Sequence, residues 1–190
     1  MKNKTILITG GTGSFGKQFT RSIVERHKSC NVIIFSRDEL KQFDMDNEFK
    51  SKKIQFYIGD VRDRARVLEV MQNVDVVIHA AALKQVPSTE FNPTECLKTN
   101  VLGAENIINA SIKCSVQKVI ALSTDKAGNP INLYGASKLV SDKLFVSANE
   151  IDKNSKTKFS VVRYGNVVGS RGSIVPYFKE LISKKSDFLP

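Results

Sequence analysis

Residues 5–16 read TILITGGTGSFG, and what this stretch forms decides the fold. "TILIT" (5–9) is a short apolar run of strand character, and a cluster of glycines follows it directly. Beyond the glycines, Phe15, Phe19 and Ile23 recur at helical spacing. A strand, a glycine turn and a helix in that order set the turn at the carboxyl end of the strand. Gly10, Gly13 and Gly16, or Gly11, Gly13 and Gly16, permit a tight turn, close backbone approach to a pyrophosphate and close helix–strand contact. A phosphate would lie at the helix N-terminus, where free N–H groups and the dipole favour negative charge. A glycine turn without ligand is the structural alternative.

The same alternation continues along the chain. "NVIIF" (31–35), "IQFYIGD" (54–60), "VDVVIHA" (74–80), "QKVIAL" (117–122) and "FSVVRYG" (159–165) read as five further strands. Between them lie a polar helix carrying Val67, Leu68 and Met71, a long helix from Asn92 to Ile112, and a helix from Tyr134 to about Asn149. A last helix can start near Pro176, since proline is tolerated in a first turn. Apolar strands alternating with helices predict an α/β fold, a doubly wound parallel sheet covered on both faces. The linker-like stretch "DKNSKTK" (152–158) reads as a solvated loop.

The 190 residues suffice for one sizeable core, and 41% hydrophobic with 25% charged residues describe an ordinary globular chain. No apolar run approaches the roughly 18 residues of a membrane helix, and the N-terminus lacks a signal-peptide pattern. The expectation is a cytoplasmic protein with no membrane partner. Cys30, Cys96 and Cys114 show no metal-ligand spacing, and His27 and His79 are too scattered for a metal site. A net charge of +10 suits a phosphorylated ligand or a solvated basic surface. The basic residues rarely interleave with aromatics, which speaks against nucleic acid.

Dinucleotide folds read the ribose at the end of the second strand, where an acidic residue marks NAD. Here that place reads "FSRDELK", with Ser36 and Arg37 ahead of any carboxylate. A serine–arginine pair can hold a 2′-phosphate, which predicts NADP. Asp38 keeps NAD open, and a solvated turn is the alternative for Arg37. Asp60, ending the third strand, can accept from an adenine amine, N-cap the next helix, or do both.

The stretch "LSTDKAGNPINLYGASK" (122–138) carries the chemistry. Tyr134 and Lys138 stand at i, i+4, on one helix face. A nearby ammonium stabilises a phenolate, and a tyrosinate can take a proton from a substrate hydroxyl while a hydride leaves the carbon. Thr124, at the end of the fifth strand, is within reach of the same hydroxyl; a turn hydrogen bond is its alternative. Asp125 and Lys126 follow at the carboxyl end of the sheet, where α/β folds bind ligands; a surface ion pair is the alternative.

On "TILITGGTGSFGK", "FSRDELKQ", "FYIGDVRD", "HAAALKQVP", "ALSTDKAGNPINLYGASK" and "RYGNVVGSRGS", the chain resembles the extended short-chain dehydrogenase/reductases. Within them it is similar to the inverting UDP-N-acetylglucosamine 4,6-dehydratases of bacterial surface-sugar biosynthesis. The Thr-Asp-Lys run is the most specific element, since many sugar-nucleotide dehydratases carry Thr-Asp-Glu there.

The resemblance implies a Rossmann-like sheet and a reaction in three stages on UDP-N-acetylglucosamine. Tyr134, with Thr124 and Lys138, deprotonates the C4 hydroxyl as NADP⁺ takes the C4 hydride. Lys126 removes the C5 proton while Asp125 protonates the departing C6 hydroxyl. Hydride returns to C6, and Lys126 reprotonates C5 from the opposite face. This demands a neutral lysine beside a protonated aspartic acid, hence a site closed from water. The resemblance extends the cofactor contacts to Thr12, Ser14 and Phe15 in the glycine turn and to Glu39, Leu40 and Lys41 after the second strand. It adds Val61 after the third, Ala80, Ala81 and Lys84 after the fourth, Leu122 and Ser123 in the fifth, and Val167 after the sixth. Lys84, Asn166 and Arg171 are expected at the substrate, although a turn role for Asn166 and a surface charge for Arg171 are alternatives. A homo-oligomer is implied too. Relatives carry a further C-terminal region that completes the sugar-nucleotide pocket. Residues 1–190 are therefore expected to form one NADP-binding catalytic domain with that region largely missing. Two other readings use the same residues: a nucleotide-binding module without turnover, and an epimerase or reductase needing no acid–base pair for water loss.

Overall fold

The computed structural model describes residues 2–151, 155–168 and 174–183. Six strands form one parallel sheet: β1 (Thr5–Thr9), β2 (Asn31–Ser36), β3 (Ile54–Ile58), β4 (Val76–His79), β5 (Lys118–Thr124) and β6 (Lys158–Tyr164). Their spatial order is β3-β2-β1-β4-β5-β6. Eight α-helices are seen among the described residues: α1 (Ser14–Arg26), α2 (Glu39–Phe49), α3 (Arg64–Val70), α4 (Val86–Phe91), α5 (Pro93–Leu97), α6 (Gly103–Lys113), α7 (Leu133–Ile151) and α8 (Ile174–Ser183).

The central strands are aliphatic on both faces because both faces are covered. On one side, Ile23 of α1 and Met45 of α2 pack with Ile6, Ile8, Ile34 and Ile78. On the other, α3, α6 and α7 bring Val67, Ile107, Ile108 and Phe145 onto Leu7, Val77, Val119 and Phe159. Parallel strands wound in both directions reverse their order between β1 and β4, which opens a crevice at their carboxyl ends. The expected doubly wound α/β fold is the observed one.

Two elements differ from the sequence-based expectation. Helix α2 was not expected, because its buried positions are held by Gln42 as well as Met45, while Leu40 and Phe43 face solvent. The expected helix from Asn92 to Ile112 is α5 and α6 joined by a π-turn at Lys98–Leu102. Such turns concentrate at functional positions. Strand β5 runs two residues further than expected, which places Ser123 and Thr124 in the sheet.

The turn after β1 depends on Gly10. Its φ of +64° lies in the left-handed region, and a Cβ there would stand 2.9 Å from the Ala81 backbone. Its N–H donates to the Phe35 carbonyl at 2.8 Å. A side chain at this position would push apart the exits of β1 and β4.

Candidate active site

The glycine turn opens α1 with Gly13 as N-cap, and no side chain caps the helix or places a carboxylate in its first turn. Its leading N–H groups and dipole therefore favour an anion beside Gly13, which is exposed. Ile23 is buried as expected, whereas Phe15 is exposed and stacks on Phe19 with centroids 5.5 Å apart. Phe15 instead borders a hollow of about 310 Å³ shared with Leu122, Val162, Tyr164, Gly165, Asn166 and Val167. This apolar hollow and the bare helix end suit the two ends of a dinucleotide.

At the end of β2, Ser36 is buried and its hydroxyl accepts from Gln42 Nε2 at 3.0 Å. Arg37 projects into solvent and meets Asp60 only loosely, at 3.7 Å. Asp38 caps α2, accepting from the Lys41 N–H at 3.0 Å, and pairs with the Lys41 ammonium. Its carboxylate is thus engaged at the helix, and Arg37 offers its guanidinium to the cleft. Glu39 and Leu40 lie exposed on the first turn of α2.

Asp60 accepts from the Arg62 N–H at 2.9 Å and from its guanidinium at 2.8 and 2.6 Å. Burial opposes its ionisation, but the Arg62 hydrogen bonds and the charges of Arg62 and Arg37 together hold the carboxyl below its usual value. The cap of α3 is Asp63, which accepts from the Arg66 N–H at 3.0 Å; Asp60 does not perform the N-cap role considered for it. The Val61 side chain belongs to the core beneath α6.

The residues of the 122–138 stretch converge where β5 ends. Thr124 Oγ1 donates to Asp125 Oδ1 at 3.0 Å and accepts from the Lys126 N–H at 3.3 Å, starting a 3₁₀ turn over Asp125–Ala127. Lys126 Nζ lies 3.2 Å from Asp125 Oδ1 and 3.3 Å from Asn166 Oδ1. Thr124 lies near enough to the Tyr134 phenol to favour its ionisation. Thr124, Asp125, Lys126, Tyr134 and Asn166 therefore form one cluster.

Burial and neighbouring charges set the proton states of this cluster. Burial pushes the Tyr134 phenol up against the pull of Thr124, and Tyr164, Asp125 and Asp142 push it further. Lys138 lies one turn further along the same helix face. That lysine is 3% exposed, and burial drives it down to about 8 against the pull of Asp142. The spacing put tyrosine and lysine on one face but could not show that the lysine sinks into the core. Hydrogen bonds from Thr124 and Lys126 hold the Asp125 carboxyl below its usual value. With side chains 57% and 41% exposed, Asp125 and Lys126 form a solvent-facing ion pair.

Two positions were missed in the sequence. Asn100, in the π-turn, bonds the Leu83 N–H (2.8 Å), the Leu83 carbonyl (2.9 Å) and Ser137 Oγ (3.0 Å). It fixes the loop carrying Lys84 to the first turns of α7. Gly135 lets α7 approach the Asp125–Ala127 turn, since a Cβ there would stand 2.5 Å from the Lys126 carbonyl oxygen. Only its place beside Tyr134 signalled it.

Ala80 and Ala81 line the crevice against Gly10, with the Ala81 N–H bonded to Thr9 Oγ1 at 3.2 Å. Lys84 is exposed, Thr12 half-buried and Ser14 exposed at the helix start. Leu122 and Val167 border the hollow, whereas the Ser123 hydroxyl is buried. Arg171 lies outside the described residues. Among the described residues no His, Cys, Asp and Glu cluster suits a metal, and no helix is long and apolar enough to cross a membrane.

Comparison with known proteins agrees with this geometry. The inverting UDP-N-acetylglucosamine 4,6-dehydratase of Campylobacter jejuni is 61% identical over 187 residues, 98% of this chain and 56% of that protein. The UDP-glucose 4-epimerase of Rickettsia canadensis is 50% identical over 179 residues, 93% of this chain and 52% of that protein. Pen from Bacillus thuringiensis, a solved structure, has a TM-score of 0.92 at 42% identity, covering 96% of this chain and 56% of that one. The chain thus spans about half the length of the curated relatives it matches. A family described as polysaccharide biosynthesis protein matches residues 6–189. On this match and on its Rossmann-like parallel sheet, the chain belongs to the polysaccharide biosynthesis protein family, with the fold of the extended short-chain dehydrogenase/reductases.

Proposed function

We propose that residues 1–190 form the NADP-binding catalytic domain of an inverting UDP-N-acetylglucosamine 4,6-dehydratase serving bacterial surface-glycan or flagellin-glycan sugar synthesis. The observation that carries this reading is the cluster of Thr124, Asp125, Lys126, Tyr134 and Asn166 beside an open, uncapped glycine turn. NADP, held by the glycine turn and Arg37, would supply reversible hydride chemistry for C4 and C6. Tyr134 takes the C4 hydroxyl proton while Thr124 holds that oxygen. The C4 ketone acidifies C5–H, and Lys126, as the free amine, removes that proton. Asp125, as the acid, protonates the C6 hydroxyl, which leaves as water; Lys126 then returns a proton to C5 from the opposite face.

The hydrated pair reaches those states by one proton transfer. Moving an ammonium proton from Lys126 to Asp125, 3.2 Å away, gives the free amine and the acid together. Excluding water penalises two charges far more than two neutral groups, so a substrate covering the pair favours the transfer.

Incubation with UDP-N-acetylglucosamine and NADP in deuterated water tests the reading. The expected product is a 4-keto-6-deoxy sugar nucleotide carrying deuterium at C5; unaltered sugar nucleotide refutes it. The 50% identity to an epimerase supports a second reading, for which a C4 epimer would appear instead.

Exposed Arg37, with the Asp38 carboxylate committed to α2, supports NADP over NAD. Arg37→Ala is expected to weaken NADP binding roughly 10- to 100-fold, the loss of one charge-assisted contact. NAD affinity should hardly change; equal loss for both cofactors in a titration would remove Arg37 from the 2′-phosphate. Exposed Leu97, Leu102, Val140 and Val146 on α5–α7 and the intervening π-turn support a homo-oligomer.

A further inference from the structure

Among the described residues, three buried polar atoms beneath α7 have no hydrogen-bond partner: His79 Nε2, Ser123 Oγ and Ser141 Oγ. Such orphans are costly and call for an explanation. The fold brings them to one place. His79 is the register partner of Ala121, and Ser123 lies two residues further along β5, on the same sheet face. Helix α7 covers that face, with Phe145 tilted onto the His79 ring at 5.5 Å. Ser141 stands four residues before Phe145 and Lys138 one turn earlier, all three buried.

The donors and acceptors match as well. Thr9 Oγ1 accepts from the Ala81 N–H and lies 2.8 Å from His79 Nδ1, to which its own proton can be donated. The imidazole, held neutral by burial and by the Lys138 charge, then carries its proton on Nε2. One water accepting from Nε2–H and from the Lys138 ammonium, and donating to the two serine hydroxyls, would complete four hydrogen bonds.

We propose that His79, Ser123 and Ser141 enclose a buried water that solvates the Lys138 ammonium from within, which makes them positioning residues for that lysine. The link to catalysis rests on the reading of Tyr134 and Lys138 as one set; the water site does not. The charged and titratable groups facing Lys138 are His79 from β4, Asp142 of α7 with its Arg163 partner from β6 (2.7 Å), and Tyr134 one turn before it.

The test is a high-resolution crystal structure combined with a ¹³Cε NMR titration of Lys138 in the whole chain. One water in contact with all three side chains is expected, and a midpoint below the ordinary lysine value. Ser141→Val, which fills the space, should lower that midpoint by roughly one unit, a tenfold change in proton affinity, because the ammonium loses an acceptor. Ser141→Ala, which removes one partner and is easily accommodated, should shift it in the same direction. No water density, or an unmoved midpoint in a folded Ser141→Ala chain, overturns the proposal. Product formation on the same samples is read separately. Water and shift without product would uphold the site while refuting the dehydratase.

Discussion

Replacing Lys138 by methionine is expected to stabilise the chain at neutral pH while abolishing its chemistry. The ammonium is buried, and its folded value of about 8 lies well below the ordinary lysine value of 10.5. A depressed folded value means the unfolded chain takes up the proton first as pH falls. Stability from this group is therefore present above 10.5 and is lost as pH falls from 10.5 towards 8. At pH 7 the loss is complete, about 3 kcal/mol at 1.36 kcal/mol per unit. Methionine fills similar volume without a charge, and Asp142 keeps Arg163 as its partner. For a chain of this size the melting temperature should rise by roughly 5–10 °C at pH 7. Near pH 10.5, where the wild-type lysine is neutral in both states, the gap should close. A variant less stable than wild type at pH 7 would show that the ammonium is well solvated. Cost in stability at a reactive group is the usual trade between folding and function.

The depth of Lys138 is also where the sequence stopped being legible. Spacing alone put Tyr134 and Lys138 on one helical face and identified the turn after β1, because both are short-range facts about backbone geometry. The sheet was legible because β1, β2 and β4 are aliphatic on both faces. Helix α2 was not, since Gln42 takes a core position to bond the Ser36 and Tyr57 carbonyls at 3.1 and 2.9 Å. No hydrophobic period marks a helix whose buried polar side chain holds β2 to β3. Nor could spacing reveal the π-turn at Asn100 or the tilt that buries Lys138 beside Asp142, both set by how α7 lies on the sheet. The cluster at the end of β5 was readable as a set of residues, but its protonation was not. That depends on exposure, and exposure is a property of the fold and of the bound state.

Lys126→Ala should reduce water loss from the sugar by roughly 10²–10⁴-fold, the range for removing a positioned general base. C4 oxidation should persist, read as the nicotinamide absorbance that appears on adding UDP-N-acetylglucosamine. The separation follows from the geometry: Tyr134 lies beside Thr124, whereas Lys126 reaches Asp125 and Asn166. Removing the lysine leaves the phenol and its threonine in place, and deprives Asp125 of both its proton source and its countercharge. Asp125 would then remain a carboxylate, unable to protonate the leaving hydroxyl, so one substitution disables the base and the acid together. Asp125→Asn should likewise impair water loss while sparing C4 oxidation, because the Lys126 ammonium loses the carboxylate that takes its proton and the C6 hydroxyl loses its acid. If Lys126→Ala retained full elimination, the proton-transfer pair would have no role. If it abolished C4 oxidation as well, position 126 would be shown to act on binding, since an elimination-only role cannot reach a step that precedes it.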